Sequence, residues 1–165
     1  MALKLSDKNR ALFLLSEAPA DINNPKLADL AGARNVADRV FLNGTYFRST
    51  DSEKITDPFL NGDPNEAFGQ DNFEGAVNIA RFFENGVPDP TDDYLFDAVK
   101  VKGTPVAWAT RKGVAWDEEL AAGQEISIFV CETDNPQEPQ ETSGYEKVSS
   151  PQAVKKAALY RTISA

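Results

Sequence analysis

The sequence predicts a mostly β protein. It reads as a single β-sandwich or barrel domain over residues 1–165, with one flanking α-helix at about 90–102 and a long loop or arm at about 49–74. Three observations carry that expectation. The runs FEGAVNIARFF (73–83), PVAWATR (105–111) and EISIFVCET (125–133) alternate or are apolar on a strand scale. Between the first two lies a helix start, Asp89-Pro90-Thr91-Asp92-Asp93, followed by a glycine stop at Gly103. Residues 49–74 have little periodicity of either kind.

The elements follow in order. Residues 10–16 read as a short strand, and Pro25 opens a short helix, PKLADLAGA, with Gly32 at its exit. In RVFL-NG-TYFR (39–48), Asn43-Gly44 between two apolar runs predicts a type I′ hairpin with positive φ at both central residues. The 49–74 segment carries Asp51, Glu53, Asp57, Asp63, Glu66, Asp71 and Glu74 against Lys54 alone, and Pro58, Gly62, Pro64 and Gly69 punctuate it. Long loops inside compact domains are usually functional or disordered. Phe59, Leu60 and Phe68 give this one something to bury, which favours a docking arm over a solvated linker.

From 75 to 84, Val77, Ile79, Arg81 and Phe83 share one face, and Ala76, Asn78, Ala80 and Phe82 the other. Two mixed faces suit a strand covered on both sides, in part by another subunit. In the helix, Asp89 caps, Pro90 fits the first turn, and Asp92 and Asp93 complement the positive end of the dipole. Leu95, Ala98 and Val99 then form one face, flanked by Tyr94 and Phe96. KVSSPQAV and KAALYRTIS read as two final strands, with Pro151 placing the first at an edge or bend. Val77, Ile79, Trp108, Ile126, Ile128 and Val130 are the expected core.

Composition narrows the function. The net charge of −9 and pI near 4.5 leave no basic footprint for tight binding to nucleic acid or anionic membrane. There is no histidine, so Ser-His-Asp and Cys-His designs lose a member. Cys131 is the only cysteine and sits in an alternating strand, as a small packed residue does. The N-terminal apolar stretch, Ala11–Leu15, is too short for a secretory signal and nothing is long enough to span a membrane, so a soluble protein made in a cytoplasm is expected.

The remaining candidates for chemistry are weak. Asp92-Asp93 and Asp117-Glu118-Glu119 are neighbours in sequence, whereas paired-carboxylate catalysis needs two groups facing each other across a cleft. Asp57 to Asp63 faintly resembles a calcium loop but lacks the third-position acid, and Phe68 stands where the bidentate Glu belongs. No Gly-rich phosphate cradle is present. Trp108 and Trp116 lie in apolar or turn-flanking stretches that suit packing better than stacking on a sugar or base. No catalytic, cofactor-binding or metal-binding residue is expected, and the protein is not read as an enzyme.

The succession FEGAVNIARFF, DPTDDYLFDAVK, GTPVAWATRKG and AAGQEISIFV resembles the core of the major tail tube proteins of long-tailed (siphovirus-type) bacteriophages, especially those infecting actinobacteria. The resemblance implies a β-sandwich with a flanking helix. It implies hexameric rings whose inner strands join into one barrel, and stacked rings forming a tube that conducts DNA. The partners implied are other copies of the chain and further tail proteins (tape measure, terminator, initiator or baseplate), with genomic DNA only as passing cargo and no membrane. The implied location is the virion tail, assembled in the bacterial host cytoplasm. On this reading Asp57, Phe59, Leu60 and Phe68 are contacts between subunits. The same fold also serves tail terminators. The alternative of another class is a soluble β-sandwich module for carbohydrate or surface recognition, which would expose Trp108 and Trp116 beside the acidic loop.

Overall fold

The computed structural model describes residues 2–140 and 143–165. Its strands are β1 (Arg10–Leu15), β2 (Arg34–Asn35), β3 (Tyr46–Thr50), β4 (Lys54–Thr56), β5 (Glu66–Phe68), β6 (Asn72–Ala80), β7 (Phe83–Glu84), β8 (Val87–Pro88), β9 (Pro105–Lys112), β10 (Glu125–Thr133) and β11 (Lys147–Thr162). One α-helix, α1 (Tyr94–Val99), and a 3-10 turn at Leu27–Leu30 complete them. Seven strands form one antiparallel sheet in the order β2-β1-β9-β10-β11-β6-β3, while β4-β5 and β7-β8 are separate hairpins. The mostly β expectation with one flanking helix therefore holds.

The centre of the sheet is apolar on both faces. Alternation along β1, β9 and β10 sends Leu12, Trp108, Phe129 and Cys131 to one side, where they meet Val36, Val77, Ile79, Leu95, Val99 and Val148. The intervening residues, Ala11, Phe13, Leu15, Ala107, Ala109, Ile126 and Ile128, pack on the other side with Leu30 and Ile163. Two buried faces explain why EISIFVCET is apolar at consecutive positions from Ile128 to Cys131. Of the expected core, Val130 alone is only half-buried; it shares the face of Ile126 and Ile128, but that cluster ends at Ile128.

The last strand differs from expectation. The two predicted C-terminal strands are one sixteen-residue strand. β11 pairs with β6 over Lys147–Gln152 and with β10 over Gln152–Thr162. Two register shifts against β10 insert an extra residue each on β11. At one of them Tyr160 takes φ +54° and its N–H donates to Ser127 Oγ at 3.0 Å. Bulges bend a strand and raise its twist, which lets one strand serve two differently oriented neighbours. Pro151 is accommodated because β10 has ended beside it: the Pro151 carbonyl accepts from Asp134 N–H in the following loop, and no ladder donor is missed.

The bend folds β3 and β6 over the β9–β10 face. Phe47 of β3 lies 5.7 Å from the Trp108 ring and 5.2 Å from the Phe129 ring. Gly75 permits this, since a Cβ there would stand 2.5 Å from the Phe47 ring. The buried Trp108 indole N–H donates to Gln152 Oε1 at 3.2 Å, and Gln152 Nε2 donates to Ser150 Oγ at 2.9 Å, so the polar groups in this core are paired.

Asn43-Gly44 is not a hairpin turn. Both flanking segments run along the same edge of β6: Val40 bridges Ile79, Phe41 N–H donates to Asn78 O, and β3 continues the pairing from Ala76 to Asn72. Only Gly44 has positive φ, +87°. The pair forms an excursion from an edge strand, spanned by Asn78, whose amide donates to Asn43 O and whose N–H donates to Thr45 Oγ1.

The helix is shorter than the predicted 90–102. Asp89 does cap, accepting from Thr91 N–H and Asp92 N–H, but it caps a separate turn before the helix. Asp93 faces inward rather than along the dipole: its carboxylate takes both Arg81 Nε and Arg81 Nη2 and also Phe82 N–H. At the other end Val101 O accepts from the Thr104 and Thr133 hydroxyls, which draws the chain away from the helix. Leu95 and Val99 are buried as expected, whereas Ala98 is exposed. Asp93→Ala leaves the Arg81 charge without its partner and is expected to cost about 3–5 kcal/mol, against about 1 kcal/mol for the capping Asp89→Ala; chemical denaturation midpoints compare the two.

Candidate assembly surface

The two carboxylate groups named in the sequence lie in different surroundings. Asp93 is bound to Arg81, with the side chains 3% and 13% exposed, and Asp92 pairs with Arg39 at 3.1 Å. Asp117-Glu118-Glu119 belongs to a loop whose carbonyls hold a buried arginine. Arg111 Nη1 donates to Glu119 O and Nη2 to Ala115 O. Burial lowers the Arg111 value, partly offset by Glu118. Among the described residues, no three histidine, cysteine or acidic side chains come together as a metal site.

Cys131 is buried, and burial pushes its thiol from 9.0 up to about 12. Trp108 is fully buried and Trp116 half-buried, so these two do not form the exposed site that the carbohydrate reading expects of them. No helix among the described residues is long and apolar enough to cross a membrane.

The surface instead offers an arm and open sheet edges. The arm is the β4–β5 hairpin, paired Lys54↔Phe68, Ile55↔Ala67 and Thr56↔Glu66. Its tip closes through Asp57 N–H to Asn65 O, Phe59 N–H to Asp63 O and Gly62 N–H to Phe59 O. All four residues singled out in the sequence are exposed, Phe59 at 59%, Leu60 at 108% and Phe68 at 79%, with Asp57 beside them. Asp57, Phe59 and Leu60 share the tip, and Phe68 lies on β5 nearer the base. A two-stranded ribbon is at best marginally stable alone in water, and this one presents its large apolar side chains outward.

Besides the β2 end, two edges of the main sheet have no strand beside them among the described residues. One is the outer edge of β3; the other is β11 beyond Gln152, on the side away from β10. They flank a cleft of about 500 Å³ whose lining includes Tyr46, Phe47, Phe129, Leu159 and Tyr160. Sequence reasoning missed this cleft. Its walls come from segments more than a hundred residues apart, and only the bend in β11 sets them facing each other.

Open strand edges are templates for pairing with another chain, and a soluble protein ordinarily blunts them. Across its whole length, residues 1–165, the sequence matches the family model described as phage tail tube protein. The chain belongs to the phage tail tube protein family. No curated protein matches it. A tail tube protein is a structural component of the virion tail that associates with itself and with other tail components, and open edges with an apolar-tipped arm are surfaces of the kind such association uses.

Thiol chemistry of this tail tube protein should report unfolding alone. Cys131 is expected to resist a thiol reagent in the native protein at neutral pH and to react fully in denaturant. The folded thiol has the raised value, so its contribution to stability is complete below pH about 9 and falls as the pH rises towards about 12. Cys131→Ala should lack that alkaline loss in a pH series of melting temperatures.

Proposed function

We propose that this tail tube protein is the repeating subunit of a long-tailed phage's tube, of the siphovirus type found in actinobacteriophages. Residues 1–165 act as one tail tube domain. Hexameric rings form as open edges of neighbouring subunits pair, and stacked rings make the channel through which DNA passes. The family match over the entire chain is the observation that carries this reading. The two unpaired edges support ring closure, because a closed ring pairs edges that a monomer leaves open. Asp57, Phe59, Leu60 and Phe68 are the proposed contacts of the arm with another subunit.

The net charge of −9 fits a conduit. DNA binds proteins through counterion release at basic groups, and an acidic wall offers no such gain. The function is assembly rather than catalysis, with tape measure, terminator and initiator or baseplate proteins as its other partners and the host cytoplasm as the site of assembly.

Electron microscopy of the concentrated purified protein is expected to show rings or hollow tubes. Deletion of residues 55–68 should leave a folded protein, judged by circular dichroism and melting, that no longer polymerises. Particles that remain single at every concentration count against a tube subunit, and unchanged tubes after the deletion count against the arm.

A further inference from the structure

The cleft between β3 and β11 has charge and shape that nothing within the described fold uses. Arg10 of β1 and Lys112 of β9 are direct cross-strand partners, and both line it. Like charges directly opposite on antiparallel strands are destabilising. Among the described residues neither is in an ion pair. Glu125 is the one acidic side chain lining the cleft, and Arg48, on the β3 wall, is already paired with Glu74. Beside these bases stand apolar side chains left open to solvent: Leu42 is 82% exposed, Tyr46 39% and Tyr160 66%.

The β4–β5 arm has the opposite character. Between β3 and β6, over residues 51–71, the chain holds six acids and one lysine, a net of −5. The lysine, Lys54, is spent on Glu66 within the hairpin, and among the described residues Asp57 and Asp63 at the tip are in no ion pair. Phe59 and Leu60 stand beside them in solvent.

We propose that the arm of one copy docks in the β3/β11 cleft of a second copy. Asp57 and Asp63 face Arg10 and Lys112, and Phe59 and Leu60 cover the exposed Leu42, Tyr46 and Tyr160. The proposal deepens the reading of this chain as a self-assembling subunit and rests on it. Complementary sign and complementary exposure select the arm over nucleic acid, which shares the sign of Asp57 and Asp63 but lacks an apolar tip to fill the cleft.

Charge exchange tests the pairing. Arg10→Glu with Lys112→Glu places four acids at the contact, and Asp57→Lys with Asp63→Lys places four bases there. Each double variant is expected to lower sedimentable tubes at least about tenfold, since like-charge juxtaposition costs several kcal/mol. The fourfold variant restores opposite signs and should return assembly close to wild type. Melting curves of the unassembled proteins establish that each variant folds. A cleft double variant that assembles like wild type, or a fourfold variant no better than its parents, overturns the docking and leaves the tube reading standing. Wild-type protein that forms neither rings nor tubes overturns that reading and the docking with it.

A second measurement does not depend on charge. Leu60→Cys combined with Ser49→Cys should give chain-to-chain disulfides when assembled protein is oxidised with copper phenanthroline; Cys131 is buried and does not compete. A bond that forms only within single chains overturns the proposal, because the arm then covers its own cleft.

Discussion

One strand that serves two neighbours in succession organises this molecule. β11 gives its first six residues to β6 and the remainder to β10. Two extra residues absorb the turn between those directions, and an uncommon left-handed Tyr160 marks one of them. Without that bend β6 and β3 would extend the sheet as further flat strands. With it, Phe47 reaches Trp108 and Phe129, and a sheet becomes two layers with a core between them.

The bend also decides what is left open. A strand cannot pair on both sides along its whole length when one neighbour departs halfway, so β11 beyond Gln152 keeps an unused edge, and β3 ends the sheet opposite β2. In a solitary protein such edges are a hazard. In a tail tube protein, which associates with itself and with other tail components, they are surfaces open to pairing.

Electrostatics divides in the same manner. Around α1, arginines are paired or stacked: the largely buried Arg81 holds Asp93 and lies 3.6 Å over the Phe96 ring, and the exposed Arg34 lies 3.5 Å over Tyr94. These contacts fasten the short α1 to the sheet, which a six-residue helix could not achieve through its own hydrogen bonds. Outside, some pairs form, such as Lys54 with Glu66, but among the described residues Asp57 and Asp63 on the arm and Arg10 and Lys112 in the cleft are in no ion pair. Matched charges serve stability, while unmatched ones of opposite sign on separate surfaces favour association.

The sequence by itself determined the class of fold, the positions of β1, β6, β9 and β10, and the face of α1 that carries Leu95 and Val99, because alternation and spacing are local signals tied directly to burial. It also marked 49–74 as a segment apart, since acidic residues with isolated aromatics suit neither a core strand nor a helix. Asn43-Gly44 misled because an edge-strand excursion and a hairpin share one local signature, and only the pairing of both flanks with β6 separates them. KVSSPQAV and KAALYRTIS, which part at Lys155, are one strand, since nothing local shows a strand passing from β6 to β10. Asp93 was assigned to the helix dipole because its partner, Arg81, becomes a neighbour only when the sheet is built. Tertiary structure alone decided the cleft, the open edges and the meeting of Arg10 with Lys112, because each is a relation between distant segments whose register the bulges of β11 and the order of the strands impose.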